Sequence, residues 1–171
     1  MKNPLFPDIY VNSIYELPLD ELEKKGIKAL AFDIDNTISP YDVAQPDEKA
    51  QSFFKYLKER GFKAILLSNN NKKRISIFNK PLGVTAVYKA GKPSGKKLKE
   101  VLSSMNIKPY QAAVIGDQVF TDILCAHNAG CVGIYSEPMC NRDQLVTKVK
   151  RPADKFIMGI YKRRHTFEGD R

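Results

Sequence analysis

Short, continuous apolar runs alternate along the chain with segments whose apolar residues recur at helical spacing. Each run lacks the apolar–polar alternation of a half-exposed strand, which is typical of strands covered on both faces of a sheet. The pattern therefore predicts five buried β-strands, at residues 29–32, 64–67, 85–88, 112–115 and 131–135.

The segments between these runs have the pattern of amphipathic helices. Apolar residues follow the i, i+3, i+4, i+7 spacing at positions 50, 53, 54 and 57, and again at positions 98, 101, 102 and 105. The first helix follows Pro46-Asp47 and ends before Gly61, and the second follows Ser94, which we expect to be its N-cap. Residues 121–128 form a shorter candidate, closed by Gly130. Strand–helix alternation over five units predicts an α/β fold: an open parallel sheet with helices on both faces.

Length and composition favour one domain with a proper core, since the chain has 171 residues of which 43% are hydrophobic and 27% charged. No apolar run approaches the roughly 18 residues of a membrane helix. The early Pro4 and Pro7 interrupt any secretion signal, and three cysteines without CxxC spacing fit a reducing cytoplasm. We expect a single cytoplasmic domain over residues 1–171, with an N-terminal extension (1–28), a motif-bearing core (29–135) and a basic tail (141–171).

The formal net charge of +9 changes the picture, because it indicates an anionic partner. A phosphorylated substrate, a nucleic acid and an acidic membrane surface all satisfy it. Charge alone does not choose among them.

Polar residues follow the predicted strands, and ligands of such sheets bind beyond the carboxyl ends of the strands. Asp33 and Asp35 follow the first strand, and their side chains face the same side if the segment is extended. Two such carboxylates repel each other unless a cation joins them, and oxygen ligands suit Mg²⁺. Taken alone, an Asp-x-Asp sequence is more typical of loop acids that cap the next turn. An EF-hand loop is excluded, because Ile38 and Ala44 occupy its glycine and glutamate positions. A Walker-type phosphate loop also fails, because the glycine spacing in residues 91–96 is one position short.

Four short motifs, each placed after a predicted strand, are more specific than any one of them. They are Asp33-x-Asp35-Asn36-Thr37, Ser68-Asn69-Asn70, Lys92, and Gly116-Asp117-x-x-x-Thr121-Asp122. In this order they resemble the signatures of the haloacid dehalogenase superfamily. The resemblance implies a Rossmann-like fold with strand order 5-4-1-2-3 and a small turn-and-hairpin flap after the first motif.

The resemblance also implies a role for each motif residue. Asp33 would be the nucleophile that becomes an aspartyl-phosphate, and Asp35 the general acid and base. Mg²⁺ would be held by Asp33, the backbone carbonyl of Asp35, and Asp117, with Asp122 supporting these ligands. The phosphoryl group would be bound by Ser68, Asn69 and Lys92. Asn36 and Thr37 are interpreted as turn residues. An acid at position 35 favours a phosphatase, because the transport ATPases of the superfamily have threonine there and its dehalogenases lack the acid.

Neither interval between the first three motifs has room for a cap domain, which would need about 50 residues or more. The uncapped subclass IIIA often acts on large substrates or uses a neighbouring subunit as a lid, so a homo-oligomer is compatible with the sequence.

Further matches, including Phe6-Pro7-Asp8, Pro81-Leu82-Gly83 and Tyr88-Lys89-Ala90, resemble the YqeG-type branch, which is related to phosphatidylglycerophosphate phosphatases. That branch implies removal of the terminal phosphate from a lipid head group. The alternatives are a phosphatase for a soluble sugar or nucleotide phosphate, and a non-catalytic basic module for nucleic acid or ribosome. No aromatic–basic stacking motif favours nucleic acid.

The basic tail carries more than half of the net positive charge. As a helix it would place Phe156, Ile157, Ile160 and Tyr161 on one face, with Lys155 and Lys162 opposite. A helix lying on anionic lipid at the inner face of the membrane has this pattern. A final helix that packs its apolar face on the domain has the same pattern.

Overall fold

The computed structural model describes the backbone of residues 3–140 and 145–166 and the side chains of residues 3–140 and 152–164. Within these residues, six parallel strands form one sheet in the order β1-β6-β5-β2-β3-β4. The strands are β1 (Ile9–Val11), β2 (Ala29–Phe32), β3 (Lys63–Leu67), β4 (Thr85–Val87), β5 (Ala112–Gly116) and β6 (Val132–Ser136). The helices are α1 (Leu19–Lys24), α2 (Glu48–Glu59), α3 (Lys72–Asn79), α4 (Lys96–Ser104), α5 (Leu124–Ala129) and α6 (Leu145–Thr166), with a π-helical turn (Val119–Ile123) that runs directly into α5.

The five predicted strands are all present, and their order β6-β5-β2-β3-β4 confirms the expected 5-4-1-2-3 arrangement. The sixth strand, β1, was not predicted. It lies in the N-terminal extension and pairs with β6, with Ile9 opposite Ile134. β1 is only three residues long and lies close to Pro7, so its sequence pattern is too weak to predict a strand. Asp8 helps to hold it, since its Oδ2 accepts the Gly133 N–H at 2.9 Å.

The two faces of the sheet carry separate apolar cores, which confirms the α/β fold with helices on both faces. Alternate residues of β2 enter different cores because successive side chains of a strand point in opposite directions. Phe32 packs on the same side as Phe54 of α2 and Phe78 of α3. Ala31 faces the other core, which contains Leu98 of α4 among its buried residues.

The helix starts follow local capping chemistry. Asp47 caps α2, with its Oδ1 accepting the Ala50 N–H at 2.8 Å. The cap predicted for α4 is wrong by one residue: Gly95 is the N-cap, and the Ser94 hydroxyl accepts the Lys96 N–H at 3.3 Å. A Cβ on Gly95 would lie 2.6 Å from the backbone nitrogen of Ala129, so the close approach of α4 to α5 requires glycine.

The segments between the motifs contain no cap domain, as expected. Residues 33–47, all of which are described, form turns and one isolated bridge between Asp35 and Ser39, so the hairpin expected in the flap is wrong. Asn36 adopts φ +65° and reverses the chain, and its N–H bonds the Ser39 carbonyl at 2.7 Å. Pro40 follows and has no N–H for a strand ladder.

Helix α6 packs on the π-helical turn through Asp154, Met158 and Tyr161, all buried. Phe156 was expected to share one apolar face with Tyr161, but the two are separated: Tyr161 is buried, whereas Phe156 is 69% exposed, because it lies on the opposite side of the helix from Asp154 and Met158. Residues 141–144 and 167–171 of the predicted tail lie outside the described residues. No helix in the described parts of the chain is both long and apolar enough to cross a membrane.

Candidate active site

The ends of three adjacent strands bring the predicted site residues together. Asp33 follows β2, the strand between β3 and β5, and its N–H bonds the Ile115 carbonyl at 2.8 Å. Ser68 follows β3 and Asp117 follows β5. Because the strands are parallel, the residues after them lie along one edge of the sheet.

A buried group of four charged side chains, here called the charge cluster, occupies this edge: Lys92, Asp33, Asp117 and Asp122. The Lys92 Nζ lies 2.5 Å from Asp33 Oδ1 and 2.7 Å from Asp122 Oδ1. Oxygens of the three carboxylates lie within 4.8 Å of one another. All four residues are buried, so water screens these charges only weakly.

Burial and neighbouring charges shift the pKa values of Asp33 and Lys92. Burial, together with the charges of Asp122 and Asp117, raises the pKa of Asp33 well above its ordinary value, although Lys92 opposes the shift. Burial of the Lys92 ammonium lowers its pKa, but the attraction of Asp122 and Asp33 outweighs this and leaves the pKa above the ordinary value. Lys92 is therefore charged at neutral pH.

The donor set fits a hard divalent cation. When ionised, the three carboxylates outnumber the one ammonium and leave excess negative charge in a buried place, which is costly without a further cation. Oxygen ligands are those that Mg²⁺ prefers. Asp33 and Asp117 supply carboxylate oxygens, whereas both oxygens of Asp122 have protein donors: Lys92 at 2.7 Å and the Gln118 N–H at 3.1 Å.

Gly116 makes room for Asp122 in the charge cluster. A Cβ at position 116 would lie 2.3 Å from the carboxyl carbon of Asp122, a distance that no side chain could accept without displacing the acid. The Gly-Asp sequence after β5 is thus explained by close packing as well as by the acid that it carries.

Thr37 also contributes to the site, although sequence reasoning assigned it to the turn. Its hydroxyl donates to Asp117 Oδ1 at 3.3 Å, and both residues are buried. Hydrogen bonds to a carboxylate fix its orientation. Asn36 does act in the turn, as expected.

Asp35 lies at the rim, with a side chain that is 20% exposed, and it is held by two residues to which the sequence analysis assigned no role. Asn70 Nδ2 donates to Asp35 Oδ2 at 2.7 Å, and Arg74 Nη2 donates to Asp35 Oδ1 at 3.2 Å. Arg74 also bonds the Ala44 carbonyl at 3.1 Å, so it ties the loop after the first motif to α3. The only sequence signal for Arg74 was its place in a basic run after the second motif.

Ser68 is buried, and its hydroxyl accepts the Asn70 N–H at 3.1 Å. The Asn69 side chain bonds both sides of the Lys92 backbone: Oδ1 accepts its N–H at 2.8 Å, and Nδ2 donates to its carbonyl at 3.1 Å. These two bonds hold the Lys92 backbone beside the end of β3, the strand that Asn69 follows. The phosphate-binding roles of Ser68 and Asn69 stay predictions.

Comparison with known proteins agrees with this geometry. Residues 20–130 match the haloacid dehalogenase-like hydrolase family. The chain belongs to this family. That match spans more than half of the chain and includes the whole charge cluster, so the resemblance drawn from the four motifs is confirmed.

Relatives of this haloacid dehalogenase-like chain carry phosphatase names. It is 32% identical to a protein described as the probable phosphatase YqeG of Bacillus subtilis (strain 168), over 96% of this chain and 95% of that one. It is 23% identical to the phosphatidylglycerophosphate phosphatase 1 (chloroplastic/mitochondrial) of Arabidopsis thaliana, over 86% of this chain but 45% of that one. Among solved structures, the cobalt-bound deoxy-D-mannose-octulosonate 8-phosphate phosphatase of Haemophilus influenzae superposes with a TM-score of 0.53. That match has 15% identity and covers 66% of this chain and 69% of the other, so it bears on the fold alone.

Proposed function

We propose that the chain is a Mg²⁺-dependent phosphomonoester hydrolase that works through an aspartyl-phosphate on Asp33. The observation that carries the proposal is the charge cluster, in which the Asp33 carboxylate lies against Lys92 and beside Asp117 and Asp122. Asp35, two residues on, supplies the second carboxyl group that hydrolysis of an ester needs.

The reaction has two steps. An oxygen of Asp33 attacks phosphorus while the bond to the substrate alcohol breaks, and Asp35 gives that leaving oxygen a proton. Water then attacks the aspartyl-phosphate, Asp35 takes its proton, and inorganic phosphate leaves Asp33 as a free carboxylate. Lys92 stabilises the negative charge of the transferring group. Mg²⁺, held by Asp33, Asp117 and the carbonyl of Asp35, would reduce the repulsion between nucleophile and phosphate.

The proposed substrate is the terminal phosphate of phosphatidylglycerophosphate. The relative from Arabidopsis thaliana carries that activity in its name. The absence of a cap between residues 33 and 92 suits a phosphate displayed on a bulky surface. Exposed residues on the outer face of α6, Lys155, Phe156 and Arg163, combine basic and aromatic groups that suit anionic lipid at the inner face of the membrane.

Phosphate release from a substrate panel tests the proposal. Wild type and Asp33→Asn are assayed with Mg²⁺ on phosphatidylglycerophosphate in vesicles, on sugar phosphates and on nucleotides. We expect release from the lipid, and a loss of at least about 10³-fold in Asp33→Asn, because the variant has no carboxylate to form the intermediate. Asp20→Asn, an exposed acid of α1, is the control and should keep full activity.

The outcomes separate the levels of the proposal. Turnover of soluble esters alone would remove the lipid substrate and leave the hydrolase. No turnover by folded wild type on any substrate would contradict the enzyme and favour a non-catalytic binding module. An acid-quenched sample without a phosphoryl mass on the Asp33 peptide, taken during turnover, would contradict the covalent intermediate.

A further inference from the structure

A buried acid outside the four motifs is bonded to the π-helical turn, which carries Asp122 and closely follows Asp117, two members of the charge cluster. Asp154 lies on α6 and is 1% exposed. Its Oδ1 accepts the Val119 N–H at 2.9 Å and the Phe120 N–H at 3.3 Å. These are the first two amides of the π-helical turn, which begins two residues after Asp117.

The two amides need an acceptor from elsewhere in the fold. The first N–H groups of a helix have no carbonyl within the helix to bond, and the residue before it usually supplies a side-chain acceptor. Gln118 holds that position and makes no such bond. Asp154 supplies the acceptor from a separate helix, and its negative charge is favourable at this end of the π-helical turn and α5.

The turn that Asp154 holds also fixes the charge cluster. Gln118 donates its N–H to Asp122 Oδ2 at 3.1 Å, and the Asp122 N–H bonds the Gln118 carbonyl at 2.9 Å. A shift of Val119 and Phe120 would therefore move Gln118 and, through it, the carboxylates on both sides. Asp122 has little freedom to adjust, because it is packed against Gly116 and bonded to Lys92.

We propose that Asp154 is a positioning residue for the metal site: it fixes the turn between Asp117 and Asp122, so that α6 is part of the active-site scaffold. The inference rests on the proposed metal site and deepens it. It assigns a functional role to a helix that lies beyond residues 20–130, the part that matches the hydrolase family.

Mg²⁺ binding by isothermal titration calorimetry tests this directly, without turnover. We expect Asp154→Ala to weaken Mg²⁺ binding about 10-fold, the lower end of the range for residues that orient metal ligands. The Mg²⁺ concentration for half-maximal activity should rise by the same factor. Asp154→Asn keeps a neutral acceptor that bonds the amides more weakly, so it should lose about 3-fold.

Met158→Ala is the matched control, because Met158 is buried on the same face of α6 as Asp154 and belongs to an apolar cluster that also contains Val119. It should leave Mg²⁺ affinity within about 2-fold of wild type. Melting in EDTA, measured for every variant, verifies that the protein is folded.

Wild-type Mg²⁺ affinity in folded Asp154→Ala would overturn the inference. If that variant does not fold, wild-type affinity in Asp154→Asn would overturn it. Equal weakening in Met158→Ala would also overturn it, because the packing of α6 would then matter rather than the carboxylate. A wild type that binds no Mg²⁺ would instead remove the proposed metal site itself, and with it this inference.

Discussion

Lys92 is the cation of the charge cluster, and Lys92→Met removes its charge while keeping most of its length. The side chain is 4% exposed and contacts two buried carboxylates at 2.5 and 2.7 Å. Removing one partner of a buried ion pair costs about 3–5 kcal/mol, since the other charge is left uncompensated. Two acids lose their partner here, so we expect a loss of about 5 kcal/mol in the metal-free protein.

The assay is urea unfolding followed by circular dichroism in EDTA, at neutral pH, where Lys92 is charged. A loss of this size should also lower the melting temperature by about 10–20 °C for a protein of this length. Added Mg²⁺ should restore a larger part of the stability in the variant than it adds to wild type, because the cluster without Lys92 is more negative. Catalysis should fall by about 10²–10³-fold even with Mg²⁺, since the group that stabilises the transferring charge is gone.

Lys96→Met is the matched control, because Lys96 is an exposed lysine four residues further along the chain. It should change the free energy of unfolding by less than about 0.5 kcal/mol. A Lys92→Met variant that loses no more than the control, with an unchanged denaturant slope, would refute the reasoning that this ion pair is buried and needed.

Further predictions concern neighbouring features. Gly116→Ala should abolish Mg²⁺ binding measured by calorimetry, because its Cβ would lie 2.3 Å from Asp122. The control Gly159→Ala, which has open space around it, should leave Mg²⁺ binding unchanged. Normal Mg²⁺ affinity in Gly116→Ala would contradict the packing argument. Asp33→Asn should stabilise the metal-free protein at high pH but not near pH 4. The pKa of Asp33 is raised in the folded protein, so ionisation of this group destabilises the fold as the pH rises above about 4, the pKa of aspartate in the unfolded chain. A stabilisation, measured in EDTA, that does not shrink on acidification would refute this. Arg74→Ala should slow hydrolysis of alkyl phosphates about 10-fold more than hydrolysis of p-nitrophenyl phosphate. Arg74 holds Asp35, the proposed proton donor, and the p-nitrophenyl leaving group needs little proton donation. Equal losses on both esters would argue against this role of Arg74.

The sheet could be predicted because its signals are local. Each central strand is a continuous apolar run, and the order of the strands followed from the family resemblance. β1 was not predicted, for the opposite reason. Residues 9–11 carry little pattern of their own, and they are held in the sheet by pairing with β6 and by the bond from the Gly133 N–H to Asp8. Such a partner, far away in the chain, leaves no trace in nearby residues.

The candidate site divides in the same way. Asp33, Lys92 and Asp117 were predicted because they belong to motifs whose order and spacing can be read directly from the sequence. Arg74 and Asp154 were not, because each acts through a contact that only the folded chain creates. Phe156 shows the limit of helical periodicity, which finds an apolar stripe but does not tell which part of it is covered.

The pairing of β1 with β6 also has a consequence for synthesis. The two strands are joined across about 125 positions of sequence, as in the bond between Gly133 and Asp8. At about 5–20 residues per second, β1 would wait about 6–25 s on the ribosome for its partner strand. Among the described strands of this sheet, β1 is therefore made before the others but enters the sheet last, after the residues of all four motifs have been added to the nascent chain.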